Sequence, residues 1–169
     1  EPDGITWTSV QAEWLQQRLA AWSAPFRVVY FHHSPYSSSS VHGSLGILQW
    51  PFREWGASIV LTGHDHLYER MSVSGFPYLV NGLGGNTRYA FAQPIGGSEL
   101  RFNAQDGALL VQADDELARF QLVTTDDDVM DTFVLPSAGV DPGVTPLIDA
   151  QASWKYLATG VSPGAGWTQ

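Results

Sequence analysis

All five histidines of the chain fall between residues 32 and 66, in "FHHSPYSSSSVHG" (31–43) and "LTGHDHLYER" (61–70). Neutral imidazole is the commonest protein ligand for zinc and a good one for iron. His64 and His66 are two residues apart, after a glycine that permits a sharp exit, so both rings can reach one small volume. Taken alone, the pair is either a set of metal ligands or two exposed loop histidines. His33 adds a third imidazole, at the end of another apolar run and just before Ser34-Pro35 turns the chain. If the two runs are neighbouring parallel strands, their C-terminal ends converge and the three rings meet at one rim, where parallel sheets build their sites. Strand alternation then aims His32 away from that rim, into packing. Asp65, between the two ligands, is expected to face outward.

The positioning elements follow from pattern. Residues 8–22 read as an amphipathic helix with Val10, Trp14, Leu15, Leu19 and Trp22 on one face. Thr8 and Gln11 suit a capping box, and Pro25 stops the run. "RVVYFHH" (27–33) and "GASIVLTG" (56–63) are short apolar runs of the kind found in strands buried on both faces. Between them, 34–43 is a Ser-, Pro- and Gly-rich loop, with Ser37–Ser40 as a flexible rim rather than a nucleophile, and 44–55 form a second helix interrupted at Pro51. This order predicts parallel strands joined by crossovers, an α/β layer. Beyond His66, short runs separated by Gly and Asp turns predict an antiparallel hairpin meander. Residues 84–106 read as a long loop. "NGLGGN" (81–86) lacks the spacing and the following helix of a phosphate-binding glycine motif, and reads as a tight turn near the rim.

Composition bounds the rest. The 169 residues suffice for one packed domain, and 44% hydrophobic residues with seven tryptophans describe a globular chain. Eight basic against 17 acidic residues give a net charge of −9, which leaves no broad cationic face for nucleic acid. An acidic protein that handles phosphate must concentrate positive charge locally, and metal ions do so. The absence of cysteine excludes disulfides, thiolate zinc sites and cysteine nucleophiles. No apolar stretch is long enough to span a membrane. The N-terminus does not read as a signal peptide. Low lysine content with abundant Gly, Ser and Trp leans towards an extracellular or periplasmic address.

"HHSPY", a histidine at 42, and "GHDHLYER" together resemble the C-terminal half of the calcineurin-like metallophosphoesterases, in their purple acid phosphatase-like branch. The resemblance covers roughly residues 7–135 and implies the C-terminal half of a four-layer αββα sandwich. It also implies two divalent or trivalent metal ions (iron, zinc or manganese), roughly 3.5–4 Å apart and bridged by an aspartate and a hydroxide that attacks the phosphoester. By the same resemblance His33 and His64 bind one metal and His66 the other. His42 then contacts the phosphate and protonates the leaving group, although a plain loop histidine remains an alternative. Tyr68, Glu69 and Arg70 support the ligands without touching metal.

The family's N-terminal motifs, Asp-x-His, Gly-Asp-x-x-Tyr and Gly-Asn-His-Asp/Glu, are absent from the sequence. Three histidines cannot hold two metals unaided, so residues 1–135 are expected to be the C-terminal half of a divided catalytic domain. A Pro/Gly linker (136–146) and the truncated start of an accessory β-module (147–169) would follow. The expected partners are a small phosphate ester and the missing half, on the same protein or a separate chain. Two functions stand. One is a dinuclear phosphoesterase acting on phosphate monoesters, with diesters open; the other is a non-catalytic extracellular binding or structural module that reuses the scaffold.

Overall fold

A short amphipathic segment opens the fold. The computed structural model describes residues 4–137. The expected accessory module, and the expected linker beyond Ser137, lie outside the described residues. Helix α1 (Val10–Ala21) starts one residue later than Thr8 would place it, because Ser9 is the cap, its Oγ accepting from the Ala12 amide at 3.3 Å. The helix seats Ala12, Leu15 and Leu19 on the sheet. Val10, Trp14 and Trp22, expected on the packed face, are exposed instead. The 12–15–19 row, not the whole apolar stripe, meets the sheet, and among the described residues nothing covers the flanks.

The second helix expected at 44–55 does not form. A single 3₁₀ turn, Gly46–Leu48, is followed by turns through 52–56. Pro51 lacks an amide donor and pushes Trp50 out of helical geometry. Trp50, Phe52 and Trp55 then pack together in the core, with ring centroids about 6 Å apart.

Five strands form the main sheet: β1 (Val28–Tyr30), β2 (Ile59–Thr62), β3 (Tyr68–Val73), β4 (Phe76–Asn81) and β5 (Ser98–Phe102), in the order β1-β2-β4-β3-β5. The parallel pairing of β1 with β2 is as expected. Strand β4 also runs parallel to β2, which the meander reading did not anticipate. The β3–β4 hairpin turns on Ser74 and Gly75, both at positive φ, as a two-residue turn of this kind requires. Strand β5 lies inside the stretch expected to be loop. The expected meander is found in the second sheet, where β6 (Gly107–Ala113), β7 (Leu117–Thr124) and β8 (Val129–Pro136) pair antiparallel in sequence order.

Two apolar layers hold these parts together. One, built on Val60, Met71, Tyr78 and Val80, lies between the main sheet and α1 with its loops. The other, built on Ile59, Leu79, Phe120 and Leu122, fills the space between the sheets. The architecture is therefore α–β–β, mixed α/β with parallel strands followed by a meander. Strand β1 departs from expectation. Only Val29 is buried, while Val28 is exposed and Tyr30 is 81% exposed, because β1 is the edge of its sheet.

Candidate metal centre

The parallel ladder continues past the ends of β1 and β2. Phe31 donates to the Leu61 carbonyl at 3.2 Å and Gly63 donates to the His32 carbonyl at 3.1 Å, so residues 31–33 lie beside 61–64. The sharp exit falls on His64 itself (φ +64°), not on Gly63. A histidine in the left-handed region is uncommon and costs on the order of 1 kcal/mol, and such strain collects at functional sites. The turn is braced from β4: Gly82 donates to the Leu67 carbonyl at 2.9 Å, and a Cβ on Gly82 would stand 2.1 Å from the Asp65 carbonyl oxygen. Only glycine permits that approach.

All five histidines join one aromatic cluster with Tyr89. Ring centroids are 5.0 Å apart for His32–His33, 4.8 Å for His32–His64, 4.3 Å for His33–His64 and 4.1 Å for His42–His64. Tyr89 lies edge-on to His42 at 5.6 Å and stacks on His66 at 4.2 Å. The three imidazoles that offer ligand atoms to one point, all within 4.8 Å of one another, are His32, His33 and His64. His66 is not in that group. Its Nδ1 lies 2.8 Å from the Thr87 carbonyl oxygen, which can only accept, so Nδ1 carries the proton and Nε2 is left with a free lone pair.

The electrostatics favour ligation. Burial, with the neighbouring His42, His33 and His32 rings, holds the His64 imidazole below its usual pKa, partly opposed by Asp65. His64 is thereby kept neutral, the form that binds metal. Neutral imidazoles suit a borderline cation such as zinc or ferrous iron. Both carboxylate oxygens of Asp65 are buried with no hydrogen-bond partner among the described residues, an arrangement that calls for a nearby positive charge. The donor set therefore fits a metal cation, although no carboxylate belongs to the three-imidazole group.

Several sequence expectations change here. His32 does not turn into packing: strand geometry ends at Tyr30, alternation lapses in the bend, and its Nε2 sits 3.0 Å from His64 Nδ1. Asp65 does not face outward; it is fully buried. The serine run is no flexible rim, because Ser37, Ser38 and Ser39 are buried. Of the Tyr-Glu-Arg triplet on β3, Tyr68 and Arg70 point to the second sheet, and each bonds Asp131 on β8 at 2.7 Å. Glu69 points to the other face and binds the serine loop. Tyr89 was not singled out from the sequence, and Gly82 only as part of the tight turn expected at 81–86. A glycine in a strand exit was the one available signal, and nothing marked Tyr89 among six tyrosines.

The calcineurin-like phosphoesterase family model matches residues 2–68, a span that includes His33, His42, His64 and His66. That segment is similar to the calcineurin-like phosphoesterases. The described fold agrees. A purple acid phosphatase from yellow lupin (Lupinus luteus) seeds superposes with a TM-score of 0.69 at 20% identity, over 79% of this chain and 29% of that one. The Plasmodium protein GAP50, described as the anchor in the inner membrane complex, superposes with a TM-score of 0.65 at 17% identity, over 75% of this chain and 41% of its own. The chain spans less than half the length of either structure. No curated protein matches it. Among the described residues, no helix is long and apolar enough to cross a membrane.

Proposed function

We propose that this chain supplies the histidine half of a dinuclear phosphoesterase that hydrolyses phosphate monoesters. The observation that carries the reading is the convergence of His33, His42, His64 and His66 with Tyr89 at one rim, inside or beside the segment matched by the phosphoesterase family. His33 and His64 would hold one cation and His66, through Nε2, the other. Two such cations, iron, zinc or manganese, lower the pKa of water and neutralise charge building on the phosphoryl oxygens. His42 stands over His64 on an exposed loop, where its ring can donate to a phosphoryl oxygen and give its proton to the departing alkoxide, leaving alcohol and phosphate. Tyr68, Glu69 and Arg70 hold the strand and loops that aim these rings.

The remaining donors, carboxylates above all, would come from a second half on the same protein or another chain. The free edge of β1 is where it would join, since Val28 and Tyr30 are exposed there. The composition favours an extracellular or periplasmic address for this activity. The likeness to a protein described as an anchor supports a second reading, a non-catalytic binding or structural module on the same scaffold.

Hydrolysis of p-nitrophenyl phosphate by the complete protein separates the two. His64→Ala should lower kcat/KM by more than the roughly 100-fold typical of losing a ligand's supporting residue. His42→Ala should lower kcat by on the order of 100-fold with metal content unchanged. Turnover indifferent to His64→Ala would remove His64 from the reaction and with it this function, whereas no turnover by the complete protein would favour the second reading.

A further inference from the structure

We propose that His32, together with His33 and His64, forms a three-imidazole site that takes one borderline divalent cation such as Zn²⁺ on this chain alone, with His66 outside it. The inference rests on reading the rim as a metal centre, but not on phosphoester hydrolysis. Ligand atoms of the three rings already lie within 4.8 Å of one another. Zinc–nitrogen bonds of about 2.0–2.1 Å put two tetrahedral ligands roughly 3.4 Å apart. His32 Nε2 and His64 Nδ1 are 3.0 Å apart, so a slight opening of that pair and a rotation of His33 close the set. Both His32 and His33 are exposed and free to make that adjustment.

His66 has less freedom. Its ring is stacked on Tyr89 and its Nδ1 is engaged by the Thr87 carbonyl, so it is held outside the three-imidazole group. Asp65 is an independent observation pointing the same way. It follows His64 directly, is fully buried, and has neither oxygen bonded among the described residues. A buried carboxylate of this kind is tolerated when a positive charge stands near it, and a cation on His64 supplies one without adding a ligand. Three protein ligands leave a coordination position open for water or an anion, the pattern of reactive rather than purely structural zinc sites.

Zn²⁺ titration of the 169-residue chain, with circular dichroism confirming that each variant is folded, tests the assignment. The parent should bind one ion. His32→Ala should weaken binding at least 100-fold, and His66→Ala should leave it within about threefold. Ring-nitrogen NMR of ¹⁵N-histidine-labelled parent chain needs no substitution: Zn²⁺ should move the resonances of His32, His33 and His64 and leave His66 in place. Loss of binding in His66→Ala with retention in His32→Ala, or a zinc-shifted His66 beside an unmoved His32, would overturn the inference. Either result would leave the phosphoesterase reading standing, because that reading uses His66. A parent that binds no zinc would overturn it too, while the nitrophenyl phosphate assay on the complete protein judges the hydrolytic reading separately.

Discussion

Glu69 is a buried carboxylate with no cation paired to it among the described residues. It is balanced by three donors: the Ser38 amide at 2.6 Å, Ser38 Oγ at 2.5 Å and Ser98 Oγ at 2.6 Å. Ser38 Oγ also accepts from the Ile95 amide at 3.0 Å, so one acidic side chain ties the loop bearing His42 to the segment following Tyr89. Glu69→Gln turns an amide towards groups that are already donors and should cost about 2 kcal/mol; Ser38→Ala should cost about 1 kcal/mol. Urea midpoints measure both, and unchanged midpoints would show that the loop is held by something else. Tyr68, on the other face of the strand, donates to Asp131, and burial first, then that carboxylate, raises its pKa far above the usual 10. A raised folded-state pKa contributes stability below the unfolded value that is lost as pH rises beyond it. The urea midpoint should therefore fall above about pH 10, and fall less steeply in Tyr68→Phe. A parallel decline in both proteins would exclude Tyr68 as the cause. Residue types were legible in the sequence, but orientations were not: His32 and Asp65 were misplaced because alternation was carried beyond the last strand residue.

At the level of elements, the site depends on how closely β4 approaches the turn after β2. Gly82 makes that approach, with space for a Cβ only 2.1 Å from the Asp65 carbonyl oxygen. Gly82→Ala must push the 64–66 turn aside, which should cost about 3 kcal/mol and weaken metal binding through His64. Gly84→Ala is the control, because an added Cβ there meets nothing within 4 Å. Calorimetric Tm and zinc affinity should drop together in the first variant and hold in the second; equal behaviour would mean that the turn yields without harm. The same elements show what sequence pattern can convey. Strands β2, β3 and β4 and the β6–β8 meander follow from apolar runs between Gly and Asp turns. The imperfect helix expected at 44–55 shrinks to the 3₁₀ turn Gly46–Leu48, because Pro51 breaks the run altogether rather than kinking it. Strand β5 alternates over only five residues, with Leu100 and Phe102 on its half-buried face, and it was hidden because it sits at the end of a Gly- and Pro-containing stretch that reads as loop.

Across the whole described fold, the two apolar layers end unequally. On one side the main sheet ends at the five-residue edge strand β5. On the other, β1 is three residues long and open, with a groove of about 500 Å³ lined by Trp14, Leu15 and Val29 and another of about 450 Å³ lined by Leu61, Leu79 and Leu109. An exposed edge with apolar flanks is a template for another strand, and proteins normally cover one. The apolar run of β1 was readable, but its place at an edge was not, since edge position depends on strand order and strand order is not written in any one strand. If a further segment completes the sheet there, protection should differ sharply along one short stretch of chain. In the 169-residue chain alone, the amides of Val28–Tyr30 should exchange with deuterium much faster than those of Ile59–Thr62, which lie between two parallel neighbours. In the complete protein the β1 amides should slow by on the order of 100-fold or more, while β2 changes little. Trp14, which is 56% exposed, should become less accessible to acrylamide in the same comparison. Slow exchange of β1 in the isolated chain, or exchange unaltered in the complete protein, would place the missing donors elsewhere and leave the β1 edge an ordinary surface.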